Sequence, residues 1–209
     1  MIDLYTFGTP NGRKASIMLE EVGLQYHVHS IDITKNEQFH PDFLKISPNN
    51  KIPAIFDHDN GMSLMESGAI LIYLAEKTGK LLSSENKKRW ETLEWLMWQM
   101  GGLGPMAGQT HHFAQFNPDI SDYAKERYIT ETHRLYGVLD KRLARREYIV
   151  DDYSIADIAA WPWVSRFEWQ KIDLDQFEHV KRWYQSIGSR PAVQKGYHVP
   201  DFISEIPGL

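Results

Sequence analysis

Two stretches of different periodicity predict the fold class: an α/β half whose elements run βαβ–α–ββα, then a half built only of helices. Alternating apolar runs are confined to residues 2–7, 26–33, 53–57 and 62–65. A strand, a helix and a strand fall within the first 33 residues, a span that calls for a right-handed crossover and a parallel pair. From about Asn86 the apolar spacing is helical, at 86–100, 118–145, 154–168, 176–188 and 190–197. The expected domains are therefore residues 1–80 and 87–209, with a linker at 81–86.

Each element has a local reason. Ile2, Leu4 and Thr6 share one strand face, Tyr5 and Phe7 the other. Gly8-Thr9-Pro10-Asn11-Gly12 is a turn, and the helix after it starts with Thr9 or Asn11 as N-cap and ends at Gly23. Residues 38–46 form a short helix or irregular turn, and Pro48 biases Ser47 away from helix. Asn60-Gly61 joins strands 53–57 and 62–65 as a hairpin. A helix from Ser67 to about Lys77 presents Ile70, Leu71, Leu74 and Ala75 inward. Gly101, Gly102, Gly104 and Pro105 predict a break or kink that opens a wide mouth in the long helix. Ser154-Ile155-Ala156-Asp157 reads as a capping box, a folding device. Trp90, Trp95, Trp98, Trp161, Trp163 and Trp169 read as core and interface packing.

Composition narrows the chemistry. The net charge of -5, with 28 acids among 23 Lys and Arg, lacks the basic block that nucleic acid needs. No apolar run approaches the roughly 20 residues that span a bilayer, and no signal segment precedes the first strand, so a cytoplasmic protein is expected. There is no cysteine, which removes disulfides, thiolate metal sites and any protein thiol from the mechanism. His111 and His112 are adjacent and have no neighbours that complete a metal set, so no metal is expected and a polar substrate wall is the better reading.

NNKIPAI at 49–55, ESGAILIYLAEKTG at 66–79 and SIADIAAWPWV at 154–164 resemble the glutathione transferase superfamily. TPNG at 9–12 and GGLGPMAGQTHHF at 101–113 are similar to its nu class, bacterial glutathione-dependent disulfide reductases. The likeness runs from residue 2 to about 195. It implies a thioredoxin-like N-terminal domain of the predicted order, a helical C-terminal domain, glutathione as cosubstrate and a homodimer.

The resemblance assigns roles residue by residue. Pro53 is cis in such proteins, and Ile52 exchanges backbone hydrogen bonds with the cysteinyl unit of glutathione; from the residues alone Pro53 is an ordinary proline opening a strand. Glu66 and Ser67 match the ammonium and carboxylate of a γ-glutamyl group, and alone would be a first-turn acid and an N-cap. Thr9 and Asn11 face the glutathione sulfur as catalytic donors, and both also serve as helix caps. Gln38 and Lys51 flank the loop before the third strand and are expected to meet the glycyl end and backbone of the ligand. Arg127 is a ligand contact on the resemblance only; otherwise it is a solvated helix charge. Three activities follow: reduction of small or mixed disulfides by bound glutathione thiolate, conjugation of glutathione to electrophiles, or non-catalytic glutathione binding by a regulator or scaffold.

Overall fold

A computed structural model describes residues 1–209. The elements are β1 (Ile2–Thr6), α1 (Pro10–Val22), β2 (Tyr26–Ser30), α2 (Pro41–Ile46), β3 (Ala54–Asp57), β4 (Met62–Met65) and α3 (Ser67–Thr78). Six more helices follow: α4 (Asn86–Trp98), α5 (Gly104–Thr110), α6 (Asp122–Leu143), α7 (Ile155–Val164), α8 (Glu178–Gly188) and α9 (Pro191–Tyr197). They form two compact units, Met1–Leu82 with Gly188–Pro207 and Leu209, and Ser83–Ile187 with Gly208.

The first unit is a thioredoxin-like four-stranded sheet in the order β2-β1-β3-β4. β2 runs parallel to β1, while β3 is antiparallel to both β1 and β4. Ile2, Leu4 and Thr6 are buried, and Asp3 and Tyr5 are half-exposed, as the alternation predicts. Burying each large apolar side chain contributes roughly 1.5–3 kcal/mol. The same inward stripe recurs on α3, where Ile70, Leu71, Leu74 and Ala75 are buried. α1 stops at Gly23 and α3 at Gly79, both left-handed with φ of 75° and 67°, where a glycine avoids the Cβ clash.

Two boundaries differ from the sequence reading. β2 ends at Ser30, not at 33, because Asp32 caps a tight turn by accepting from Thr34 N at 2.9 Å. The N–H of Asp32 in turn donates to the Glu37 carboxylate at 2.7 Å. The second difference concerns the expected helical domain 87–209, whose last helix belongs with the first unit. Ser16 on α1 donates to the carbonyl of Gly196 at 2.7 Å, and Arg13 Nε to that of Tyr197 at 3.0 Å. A Cβ at Gly196 would stand 2.6 Å from Ile17 Cα, so α9 approaches α1 as closely as a backbone can.

In the second unit the glycine-rich segment does not break the helix. α4 continues through widened turns at Gln99–Leu103 into α5 and through another set at His111–Phe116. The small residues make room for Trp163: a Cβ at Gly104 would lie 3.3 Å from its Nε1, and one at Gly108 3.3 Å from its Cη2. α7 opens on the predicted capping box. Its Asp157 is fully buried and accepts from Ile149 N at 2.9 Å, Ser154 N at 3.0 Å and Trp183 Nε1 at 2.8 Å. Of the tryptophans read as packing, Trp161 and Trp163 are buried but Trp90 is largely exposed. No helix is long and apolar enough to cross a membrane.

Candidate active site

Strand register brings most of the candidate residues to one end of the sheet. Tyr5 near the end of β1 pairs with Ala54 at the start of β3, and Ala54 pairs with Met65 at the end of β4. The β1–α1 turn, the loop ending at Pro53 and the β4–α3 junction therefore emerge side by side. β2 is parallel to β1 and pairs Ser30 with Thr6, so the segment carrying Gln38 leaves from that end too.

Thr9 is the N-cap of α1 in extended conformation, and its Oγ1 accepts from Gly12 N at 3.2 Å. Pro10 and Asn11 are the first two helical residues, and both Thr9 and Asn11 are half-buried. This places a hydroxyl, an amide and the positive end of a thirteen-residue helix together. Tyr5 is elsewhere: it stacks on His29 with ring centroids 4.6 Å apart, and burial raises its pKa. Gly8 lies under the chain's tail, for a Cβ there would come within 2.3 Å of Ile203 Cδ1.

The Ile52–Pro53 peptide is cis. The β3 ladders start at Ala54, so the backbone of Ile52 lies outside them. Ser47 Oγ donates to Lys51 O at 2.8 Å and fixes the loop while the Lys51 side chain stays exposed. Gln38 is half-buried, and its Oε1 has no hydrogen-bond partner within the protein.

Glu66 precedes α3 with φ 70° and ψ 112°, a region that costs a non-glycine residue about 1–3 kcal/mol. Its side chain makes no capping hydrogen bond. Ser67 is the first residue of α3 and is buried. Behind it lies Lys14 of α1, 1% exposed, whose Nζ donates to Ser67 Oγ at 3.4 Å. Burial pulls the Lys14 ammonium down to about 7 against the opposing attraction of Glu66. Lys14 is the functional candidate that the sequence reading missed; only its place on the inward stripe of α1, where a lysine is out of character, signals it.

Two candidates lie in the other unit. Arg127 is exposed on α6 and lines a cavity of about 640 Å³ with Met106, Tyr123, Tyr128 and Glu131. His111 is no polar wall. It is buried, stacked on Trp163 at 5.7 Å and hydrogen-bonded to Gln170 Nε2 at 3.2 Å, and burial lowers its pKa to about 4.

The chain matches two family models, the glutathione S-transferase N-terminal domain over residues 2–76 and the C-terminal domain over residues 103–191. It is 56% identical over 198 residues to the disulfide-bond oxidoreductase YfcG of Escherichia coli, covering 92% of each chain. A glutathione transferase of Pseudomonas putida, solved with one glutathione disulfide bound per subunit, superposes with a TM-score of 0.92 at 46% identity, covering 95% of this chain and 91% of that one. A family member from Pseudomonas fluorescens with two glutathione molecules bound gives a TM-score of 0.89 at 47% identity, covering 95% and 93%. The chain belongs to the glutathione S-transferase family.

Proposed function

We propose that the protein is a glutathione-dependent disulfide reductase of the nu class, acting as a cytoplasmic homodimer. One observation carries the reading: a helix N-terminus bearing Thr9 and Asn11 stands at the same sheet end as Glu66-Ser67, in a chain without cysteine. The reacting sulfur then has to be the ligand's. Its likeness to YfcG, a disulfide-bond oxidoreductase, and to structures holding glutathione or its disulfide supports this.

In this reading Ile52 pairs its backbone with the cysteinyl unit of glutathione. Glu66 meets the γ-glutamyl ammonium and Ser67 its carboxylate. Gln38, through its unpartnered Oε1, and Lys51 meet the peptide groups and the glycyl end. Arg127 is retained as a ligand contact on the family resemblance. Thr9, Asn11 and the α1 dipole hold the thiol as thiolate.

Chemistry follows without any protein nucleophile. The bound thiolate attacks one sulfur of a small or mixed disulfide, forms a glutathione mixed disulfide and expels the other sulfur as thiolate. A second glutathione thiolate attacks the glutathione sulfur of that adduct and expels the remaining substrate thiolate. Two glutathione thiols are oxidised to one disulfide, one substrate disulfide is reduced, and the two thiol protons end on the two products. The protein binds, orients and stabilises charge.

Conjugation to an electrophile is the second reading, favoured by the match to transferase family models. Two parallel assays separate them: 2-hydroxyethyl disulfide with NADPH and glutathione reductase, and an aryl chloride with glutathione. Turnover in the first and little in the second is expected. The reverse makes the protein a conjugating transferase, and silence in both makes it a binding protein.

A further inference from the structure

Lys14 is a buried cation at the wrong end of a helix. Its ammonium touches the first residue of α3, where the backbone dipoles already present positive charge. Burying a lysine strips its ammonium of water, and the positive φ of Glu66 at the same junction adds backbone strain. Helix capping requires neither device, since a serine or aspartate at the N-cap would satisfy the terminus more cheaply. Glu66 already supplies one countercharge, and an anion on the outer side of Ser67 would supply a second.

We propose that Lys14 is a positioning residue for the γ-glutamyl α-carboxylate of glutathione, acting through the Ser67 hydroxyl. This rests on the glutathione reading of the site given above. Lys14 Nζ donates to Ser67 Oγ, so the oxygen is held as acceptor and the hydroxyl is polarised to donate outward. The helix N–H groups and this hydroxyl then meet the carboxylate, while the buried ammonium supplies its long-range countercharge. Glu66, the acidic group whose charge acts on Lys14, stays available to the ligand ammonium because its side chain takes no part in capping α3.

The test is a cycle between residue and ligand. Glutathione and its analogue lacking the γ-glutamyl α-carboxylate (4-aminobutyryl-cysteinyl-glycine) are titrated calorimetrically into wild type and Lys14→Met. The substitution should weaken glutathione about tenfold to a hundredfold and leave the analogue's affinity within about twofold. In the disulfide assay KM for glutathione should rise while kcat at saturation is kept. Lys14→Gln keeps a polar group without the charge and should lose affinity like Lys14→Met. Equal weakening of both ligands, or no weakening of glutathione, overturns the role of Lys14. Failure of the wild type to bind glutathione removes the underlying reading and the proposal with it.

Discussion

Thr9 Oγ1 accepts the N–H of Gly12 at 3.2 Å, so the hydroxyl assigned to the glutathione sulfur also closes the first turn of α1. In the proposed mechanism capping and catalysis share one side chain. Thr9→Ala should cost about 1 kcal/mol of stability and lower disulfide turnover, whereas Thr9→Ser should keep both. Thermal melts beside the coupled assay check this. If the serine variant loses turnover as fully as the alanine variant, the hydroxyl is not the operative group.

In the proposed mechanism Asn11, in the first turn of α1, serves the sulfur and not the peptide. Asn11→Ala should lower turnover more than glutathione affinity, read from kcat beside a calorimetric Kd. Unchanged turnover would remove Asn11 from the mechanism.

α9 meets α1 backbone on backbone at Gly196. Gly196→Ala puts a methyl 2.6 Å from Ile17 Cα and 2.7 Å from its N, a clash no rotamer relieves, and should destabilise by about 1–3 kcal/mol. Gly101→Ala meets nothing within 4 Å and should be neutral or stabilising by up to about 1 kcal/mol. Urea titrations that shift both variants equally would contradict the assigned contact.

Asp157 gathers donors from three segments: Ile149, Ser154 and Trp183. Asp157→Ala leaves those buried groups without an acceptor and should cost about 3 kcal/mol or more. A loss under about 1 kcal/mol in equilibrium unfolding would rule out this structural role.

Lys14 predicts a pH signature in the ligand-free protein. Its ammonium is held down to about 7 when folded, against 10.5 ordinarily. Between these values the unfolded chain keeps a proton that the folded chain has released, so this group's contribution to stability rises with pH across the window. Lys14→Met removes the penalty. Its Tm should exceed that of wild type at pH 7, and the gap should narrow toward pH 10. A lower Tm at pH 7 would show that the ammonium stabilises the free protein.

What the sequence reveals depends on how local the determinant is. The α1 cap, Gly23 and the α7 capping box are legible because each uses neighbouring side chains and backbone. Burial on β1 and α3 is legible from period alone. The place of α9 is not, since it depends on Gly196 meeting Ile17 some 180 residues away in the chain. The glycine-rich run misleads as to a break for a related reason: its glycines admit Trp163 from another helix, and the helix continues by widening its turns. Lys14 is hidden because a charge on an amphipathic helix reads as solvated unless its partner, Ser67, is known.

The central claim is that the protein activates a thiol it does not own. Ultraviolet titration of the thiolate band in the glutathione complex measures this directly, with no cysteine in the chain to interfere. The account predicts a bound thiol pKa about two units below the free value near 8.5, rising toward that value in Asn11→Ala. A bound thiol that titrates where the free one does would contradict it.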